Sequence, residues 1–166
     1  RALTSRLIAC GAVVHAHDPH VAAAEIAAHG ALPAAYQDVV GCDVVSLHIP
    51  ASGGSSIVDE SFLTQMKADA ILINTARGSL VDERALRGAL DAGRIAWAGI
   101  DVVREELPGQ SGLAQHPRVT ATPHVAYYSP SSLHDLRRRA AEQMVNLLDR
   151  AEQSAATPAR LTVSGS

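Results

Sequence analysis

An α/β fold built on a doubly wound parallel sheet is what this 166-residue sequence predicts. Three observations carry it. Short apolar runs recur along the chain, segments of helical period lie between them, and the boundaries carry acidic starts and glycine stops. Strand, helix and strand in repetition is the pattern of a parallel sheet with helices on both faces.

The elements follow in order. Residues 12–17 (AVVHAH) come after Gly11 and form the first predicted strand. Residues 21–29 make a helix that stops at Gly30. Residues 43–49 (DVVSLHI) are the second strand, and residues 59–66 a helix opened by Asp59. Residues 70–75 (AILINT) are the third strand. Residues 82–92 form a helix with Asp82-Glu83 at its start and Gly93 at its end, standard cap chemistry. Residues 96–102 (AWAGIDV) and 119–122 (VTAT) complete the strands. Runs so uniformly apolar read as strands covered on both faces. Residues 129–150 are the longest helix, with Pro130 near its start, where a missing N–H is harmless. Leu133, Leu136, Ala140, Met144, Leu147 and Leu148 give it one apolar face, and Arg137, Arg138 and Arg139 a solvated one. Residues 1–150 therefore read as one domain, and residues 151–166, rich in Ser, Ala, Thr and Pro, as a disordered tail.

Composition narrows the function. Hydrophobic residues make up 47% and charged residues 19%, ordinary for a globular domain. A net charge of -3 and a pI near 6.2 argue against nucleic acid as partner. No apolar run reaches the roughly 18 residues that span a bilayer, and no export leader is seen. Two cysteines, Cys10 and Cys42, make no disulfide framework and fit a reducing, cytoplasmic compartment.

Chemistry concentrates at predicted strand ends, beyond which ligands bind in open α/β sheets. Asp18, in His17-Asp18-Pro19, stands where an acidic residue of a dinucleotide fold accepts hydrogen bonds from the adenosine ribose, although Asp-Pro is also a common turn. His15, His17 and His20 suggest a metal, but no Cys, Glu or further His stands at ligand spacing, so none is expected. His48, in Leu47-His48-Ile49-Pro50, either bonds locally or contacts a ligand. Arg77, in Asn74-Thr75-Ala76-Arg77-Gly78, can hold a carboxylate in a two-pronged pair and polarise a carbonyl. Asp101 ends a strand, with Glu106 following in a turn, and His124, in Thr122-Pro123-His124, can move a proton.

Five motifs in this order make the stretch from Ala2 to Leu148 resemble the nucleotide-binding domain of the D-isomer-specific 2-hydroxyacid dehydrogenases. They are His17-Asp18-Pro19, Leu47-His48-Ile49-Pro50, Asn74-Thr75-Ala76-Arg77-Gly78 with Val81-Asp82-Glu83, Gly99-Ile100-Asp101-Val102 and Thr122-Pro123-His124. The resemblance implies a Rossmann-type domain and an enzyme passing hydride between NAD and a small D-2-hydroxy or 2-keto acid. It implies that Arg77 binds the acid, that His124 is the general acid/base and that Glu106 is its partner. Asp18 would hold the adenosine ribose. Thr75, Ala76 and Asp101 would line the nicotinamide end, with Pro19, His48, Ile49, Pro50, Arg77, His124 and Ala126 also in the cofactor site. A full-length homodimer is implied as well. The run His124-Val125-Ala126-Tyr127-Tyr128-Ser129 resembles the branch that contains the C-terminal-binding-protein corepressors, so a non-catalytic, NAD-responsive interaction module is the alternative. A formate-dehydrogenase-like enzyme ranks lower, because that branch has Gln where Glu106 stands.

Two departures matter. Leu107 follows Glu106 where the family has Pro, with Pro108 one further on. Glu105 is thus a rival for the acidic role, and Glu106 is preferred because it stands five residues after Asp101, the family's interval. The G-x-G-x-x-G loop is also missing, and the opening residues 1–7 resemble the helix that follows it. The first strand, that loop and the substrate domain are expected upstream of Arg1. On that reading residues 12–17 and 43–49 are strands 2 and 3, and the three later runs are strands 4, 5 and 6. Lacking central strand 1, the two halves of the sheet would share no ladder.

Overall fold

The computed structural model of the chain describes residues 1–50, 56–104 and 112–156, with side chains to residue 150. The elements run α1 (Ala2–Ala9), β1 (His15–Ala16), α2 (Ala23–Ala28), β2 (Leu32–Pro33), α3 (Tyr36–Val40), β3 (Val44–Leu47), α4 (Glu60–Gln65), β4 (Ile71–Asn74), α5 (Glu83–Asp91), β5 (Trp97–Ile100), β6 (Val119–Ala121) and α6 (Pro130–Ala156). A single 3-10 turn, Gly78–Leu80, lies between β4 and α5.

The expected caps are in place. The Asp59 carboxylate accepts the Phe62 N–H at 2.8 Å and starts α4. Asp82 accepts from both Arg84 and Ala85, each at 3.0 Å, and starts α5. These bonds satisfy amides that have no partner inside the helix. Beyond α5, Gly93 takes a φ of 66°, the left-handed turn that a glycine adopts without a Cβ clash.

Two parallel sheets form. β1 pairs with β2, and β3, β4, β5 and β6 pair in that order, all parallel. The sheets share no ladder among the described residues. This agrees with the expected break and corrects the strand numbering. β2 is a strand not predicted from sequence, and it takes the place beside β1 assigned to residues 43–49. Those residues instead lead the larger sheet against β4, with Val44 opposite Ile71 and Leu47 opposite Asn74. Tyr36 links the two parts, its ring edge-on to His17 at 6.0 Å and to Phe62 at 5.9 Å.

The core lies on one face of the larger sheet. Val45, Leu47, Leu72, Ala98 and Ile100 point into it and meet Phe62 and Leu63 of α4 and Leu86 and Leu90 of α5. Leu63, Leu72, Leu86, Leu90 and Ile95 are fully buried. The opposite face is not sealed in the same way, since Val44 is 49% and Trp97 40% exposed. Strands covered on both faces are thus corrected to strands buried on one face. Helices α4 and α5 pack on that side, while α1 and α2 contribute no buried residue.

The chain divides into two compact units, the first Arg1–Ala126 and the second starting at Tyr127. The second unit is dominated by α6, which continues to Ala156, six residues into the stretch expected to be a disordered tail. Arg138 pairs along this helix with Asp135 and Glu142, at 3.5 and 2.7 Å, spacings that bring charges onto one helix face.

Candidate functional site

Because the strands of the larger sheet are parallel, their carboxyl ends lie along one edge. β3 delivers His48, Ile49 and Pro50 there. β4 delivers Thr75, Ala76 and Arg77, β5 delivers Asp101, and β6 delivers Thr122 and His124. Asp18 and Pro19 stand at the corresponding end of β1 in the smaller sheet. Glu105 and Glu106 lie outside the described residues.

Asn74, the last residue of β4, is fully buried although polar. Its Oδ1 accepts the Ala76 N–H at 3.1 Å, and its Nδ2 donates to the Arg77 carbonyl at 2.9 Å. One amide thus closes the turn that carries Arg77. The Arg77 backbone is extended and its side chain exposed, with Nη1 donating to the Ala76 carbonyl at 2.6 Å. Gly78 explains itself by contact. A Cβ there would sit 2.1 Å from the Val103 carbonyl carbon and oxygen and 2.5 Å from the Arg104 nitrogen. The Arg77 turn is therefore packed backbone to backbone against the segment after β5, the segment that leads to Glu105 and Glu106.

Asp101 is the organiser of the neighbouring turn. It is buried, and its Oδ1 accepts from the Thr122 hydroxyl at 2.5 Å and from the Val125 N–H at 2.9 Å. Its Oδ2 accepts the Ala126 N–H at 2.9 Å. Its backbone carbonyl accepts the His124 N–H at 2.9 Å, and its own N–H donates to the Asn74 carbonyl at 2.9 Å. Burial works against this carboxylate's charge. The bonds from Thr122, Ala126 and Val125, with the nearby His124, outweigh it and hold the carboxyl below the ordinary range. The bonds hold a strained element, because His124 has a φ of 53°, uncommon for a residue with a side chain. His124 is half-buried.

The remaining predicted residues have local partners. The Asp18 carboxylate accepts the His20 N–H at 2.9 Å and closes a turn, yet the residue stays exposed. His17 donates from Nδ1 to the Ala34 carbonyl at 3.1 Å. His48 Nε2 meets the Ser46 hydroxyl at 2.9 Å, so the local bond expected as one alternative is present. Desolvation keeps His48 below the ordinary imidazole pKa. Among the described residues no three His, Cys, Asp or Glu stand close enough to hold a metal. No helix among them is long and apolar enough to cross a membrane.

Sequence reasoning passed over three residues that shape the site: Asn74, Gly78 and Thr122. Each had a signal. Asn74 is the one polar residue inside the otherwise apolar run 70–74, Gly78 directly follows the arginine, and Thr122 closes the last strand.

A parallel α/β domain with an arginine and a histidine on strand-end turns along one edge of its sheet, and an exposed carboxylate at the end of a companion strand, has the layout of a dinucleotide-dependent oxidoreductase. Comparison with known proteins makes this specific. Residues 1–126 match the model of the NAD binding domain of D-isomer specific 2-hydroxyacid dehydrogenases, and the chain belongs to that family. It is 43% identical over 108 residues to a glycerate dehydrogenase of Methylorubrum extorquens, covering 63% of this chain and 33% of that protein. It is 43% identical over 119 residues to the chloroplastic D-3-phosphoglycerate dehydrogenase 2 of Arabidopsis thaliana, covering 69% of this chain and 19% of that one. Among solved structures, the NAD-complexed D-isomer specific 2-hydroxyacid dehydrogenase of Lactobacillus delbrueckii ssp. bulgaricus superposes with a TM-score of 0.78 at 32% identity, over 89% of this chain and 50% of that one. The D-lactate dehydrogenase of Aquifex aeolicus, complexed with NAD and lactic acid, gives 0.79 at 26% identity, over 91% and 50%. The chain thus spans a third or less of these two curated relatives and half of these two structures.

Proposed function

We propose that the full-length protein is an NAD-dependent dehydrogenase of small D-2-hydroxy acids, and that this chain is part of its coenzyme domain. The observation that carries the reading is the hydrogen-bonded path from the Arg77 turn through Asn74 and Asp101 to His124. It supports the reading of Arg77 as the carboxylate-binding cation and His124 as the proton-transfer group, because their turns share one scaffold. The exposed Asp18 carboxylate fits the coenzyme's adenosine ribose, since it presents acceptors to two hydroxyls and would repel a 2′-phosphate. Pro19, His48, Ile49, Pro50, Thr75, Ala76 and Ala126 belong to the coenzyme site on the same reading.

When bound, NAD would supply or accept the hydride. The protein's own part in reduction is to fix the 2-keto acid and deliver a proton. Arg77 pairs with the carboxylate and stabilises negative charge developing on the carbonyl oxygen. His124, as imidazolium, gives that oxygen its proton, and in oxidation it takes the proton back as neutral imidazole. Glu106 is the proposed acidic partner that favours the charged form, with Glu105 as its rival.

The proposal includes a homodimer in the cytoplasm. Leu136, Met144, Leu147 and Leu148 of α6 are all exposed, which suits a subunit contact, and Cys10 and Cys42 are free thiols. The net charge of -3 favours a small acid over nucleic acid as partner. The relatives compared above are dehydrogenases, and no observation favours the corepressor-like alternative. The test is turnover of a panel of 2-keto acids with NADH by the full-length protein. Reduction of one of them, strongly lowered but measurable in Arg77→Ala and abolished in His124→Ala, is expected. No turnover of any would overturn the reading.

A further inference from the structure

Asn74 touches both halves of the site through hydrogen bonds. Its side-chain amide is spent entirely on the Arg77 turn, accepting from Ala76 N–H at 3.1 Å and donating to the Arg77 carbonyl at 2.9 Å. Its backbone carbonyl receives the Asp101 N–H at 2.9 Å, and Asp101 carries the His124 turn. Its backbone also sits in the middle of the sheet, opposite Leu47 on one side and Ile100 on the other. The amide is therefore anchored on a strand that is paired on both sides. A buried polar side chain survives only when its groups are paired, and among the described residues no buried side-chain nitrogen or oxygen lacks a partner.

We propose that Asn74 is a positioning residue for Arg77: its amide sets the direction in which the chain leaves β4, and so where the guanidinium stands. This rests on the functional reading above. The chemistry is specific to an amide. The turn offers one N–H and one C=O to the same side chain, so the position needs one acceptor and one donor at fixed separation. Aspartate, of the same shape, keeps the acceptor but sets a carboxylate oxygen against the Arg77 carbonyl and buries an unpaired charge. Leucine would fill the space and leave both backbone groups unpaired. Arg77 needs such support because its side chain is exposed and, among the described residues, its guanidinium bonds only to the adjoining Ala76 carbonyl.

The test uses the full-length enzyme with Asn74→Ala and Asn74→Asp, and Asn74→Ser should either fail to fold. Losing the buried pairings is expected to lower kcat/KM for the 2-keto acid about ten- to a hundredfold, through a raised KM with kcat little changed. In an Arg77→Ala background the same Asn74 substitution is expected to have almost no further effect, since residues acting as one unit are not additive. A fall in kcat with KM unchanged, or an equal further loss in the Arg77→Ala background, would show a merely structural role and overturn the proposal. Hydrogen exchange separates this from the functional reading. The Ala76 amide should exchange faster in Asn74→Ala, which removes its acceptor, than in the unmodified protein. If the unmodified enzyme reduces no 2-keto acid, the functional reading fails, and unchanged Ala76 exchange would independently overturn the role of Asn74.

Discussion

Replacing Asp101 by Asn tests the turn that carries His124. The carboxylate receives three hydrogen bonds, from the Thr122 hydroxyl at 2.5 Å and from the Val125 and Ala126 amides at 2.9 Å each. Asparagine keeps one oxygen and puts an NH2 group in place of the other. Whichever way the amide turns, at least one backbone N–H faces a donor. Losing the charge on the surviving bonds and leaving a buried donor unpaired together cost about 2–4 kcal/mol. At about 2–4 °C per kcal/mol for a protein of this size class, the melting temperature falls by about 5–15 °C. The pH dependence gives a second, independent reading. The fold lowers the Asp101 pKa, so the stability it contributes is fully present above the unfolded carboxylate pKa of about 3.9 and is lost as pH falls through the lower folded value. Asn cannot titrate, so the variant's stability has a shallower acid limb. Denaturant unfolding of both proteins from neutral pH downward measures both effects. Equal stability at neutral pH together with parallel acid limbs would refute the clamp, and with it the account of how His124 is held at a positive φ.

Gly78→Ala drives a Cβ to within 2.1 Å of the Val103 carbonyl, so the backbone must move, and a loss of about 1–3 kcal/mol is expected in the same unfolding assay. An effect below the error of the measurement would mean that the Arg77 turn and the segment after β5 part easily. For the coenzyme, the full-length enzyme should prefer NADH to NADPH, and Asp18→Ala should narrow that preference by removing the repulsion of a 2′-phosphate. Equal kcat/KM for the two coenzymes before mutation would refute this. Proton NMR of His48 should show a titration midpoint below the ordinary value of about 6.5, because desolvation disfavours the charged ring, and a midpoint above it would contradict the geometry at the end of β3.

Much of this was readable in one dimension, because it depends on neighbours in sequence. The apolar runs at 43–49, 70–75 and 96–102 contain β3, β4 and β5, since a buried strand needs little more than consecutive apolar residues. Asp59, Asp82 and Gly93 marked helix ends through contacts made within a single turn. Parallel pairing then put Arg77, Asp101 and His124 at one edge, as their places after the strands required. Other features depend on residues far apart in the chain, and only the folded structure decides them. β2 has two residues, one of them a proline, too little pattern to declare a strand, and it forms because β1 offers a ladder beside it. That pairing moved residues 43–49 into the larger sheet. Asp101 read as a residue at the nicotinamide end, yet its carboxylate meets partners 21 to 25 positions away. Asn74 looked like one letter of a motif until the sheet buried it and left its amide nothing to bond but the turn beneath Arg77. Local chemistry chooses strands, caps and turns. Which buried polar group is paired with which turn is set by the tertiary packing that removes water from both.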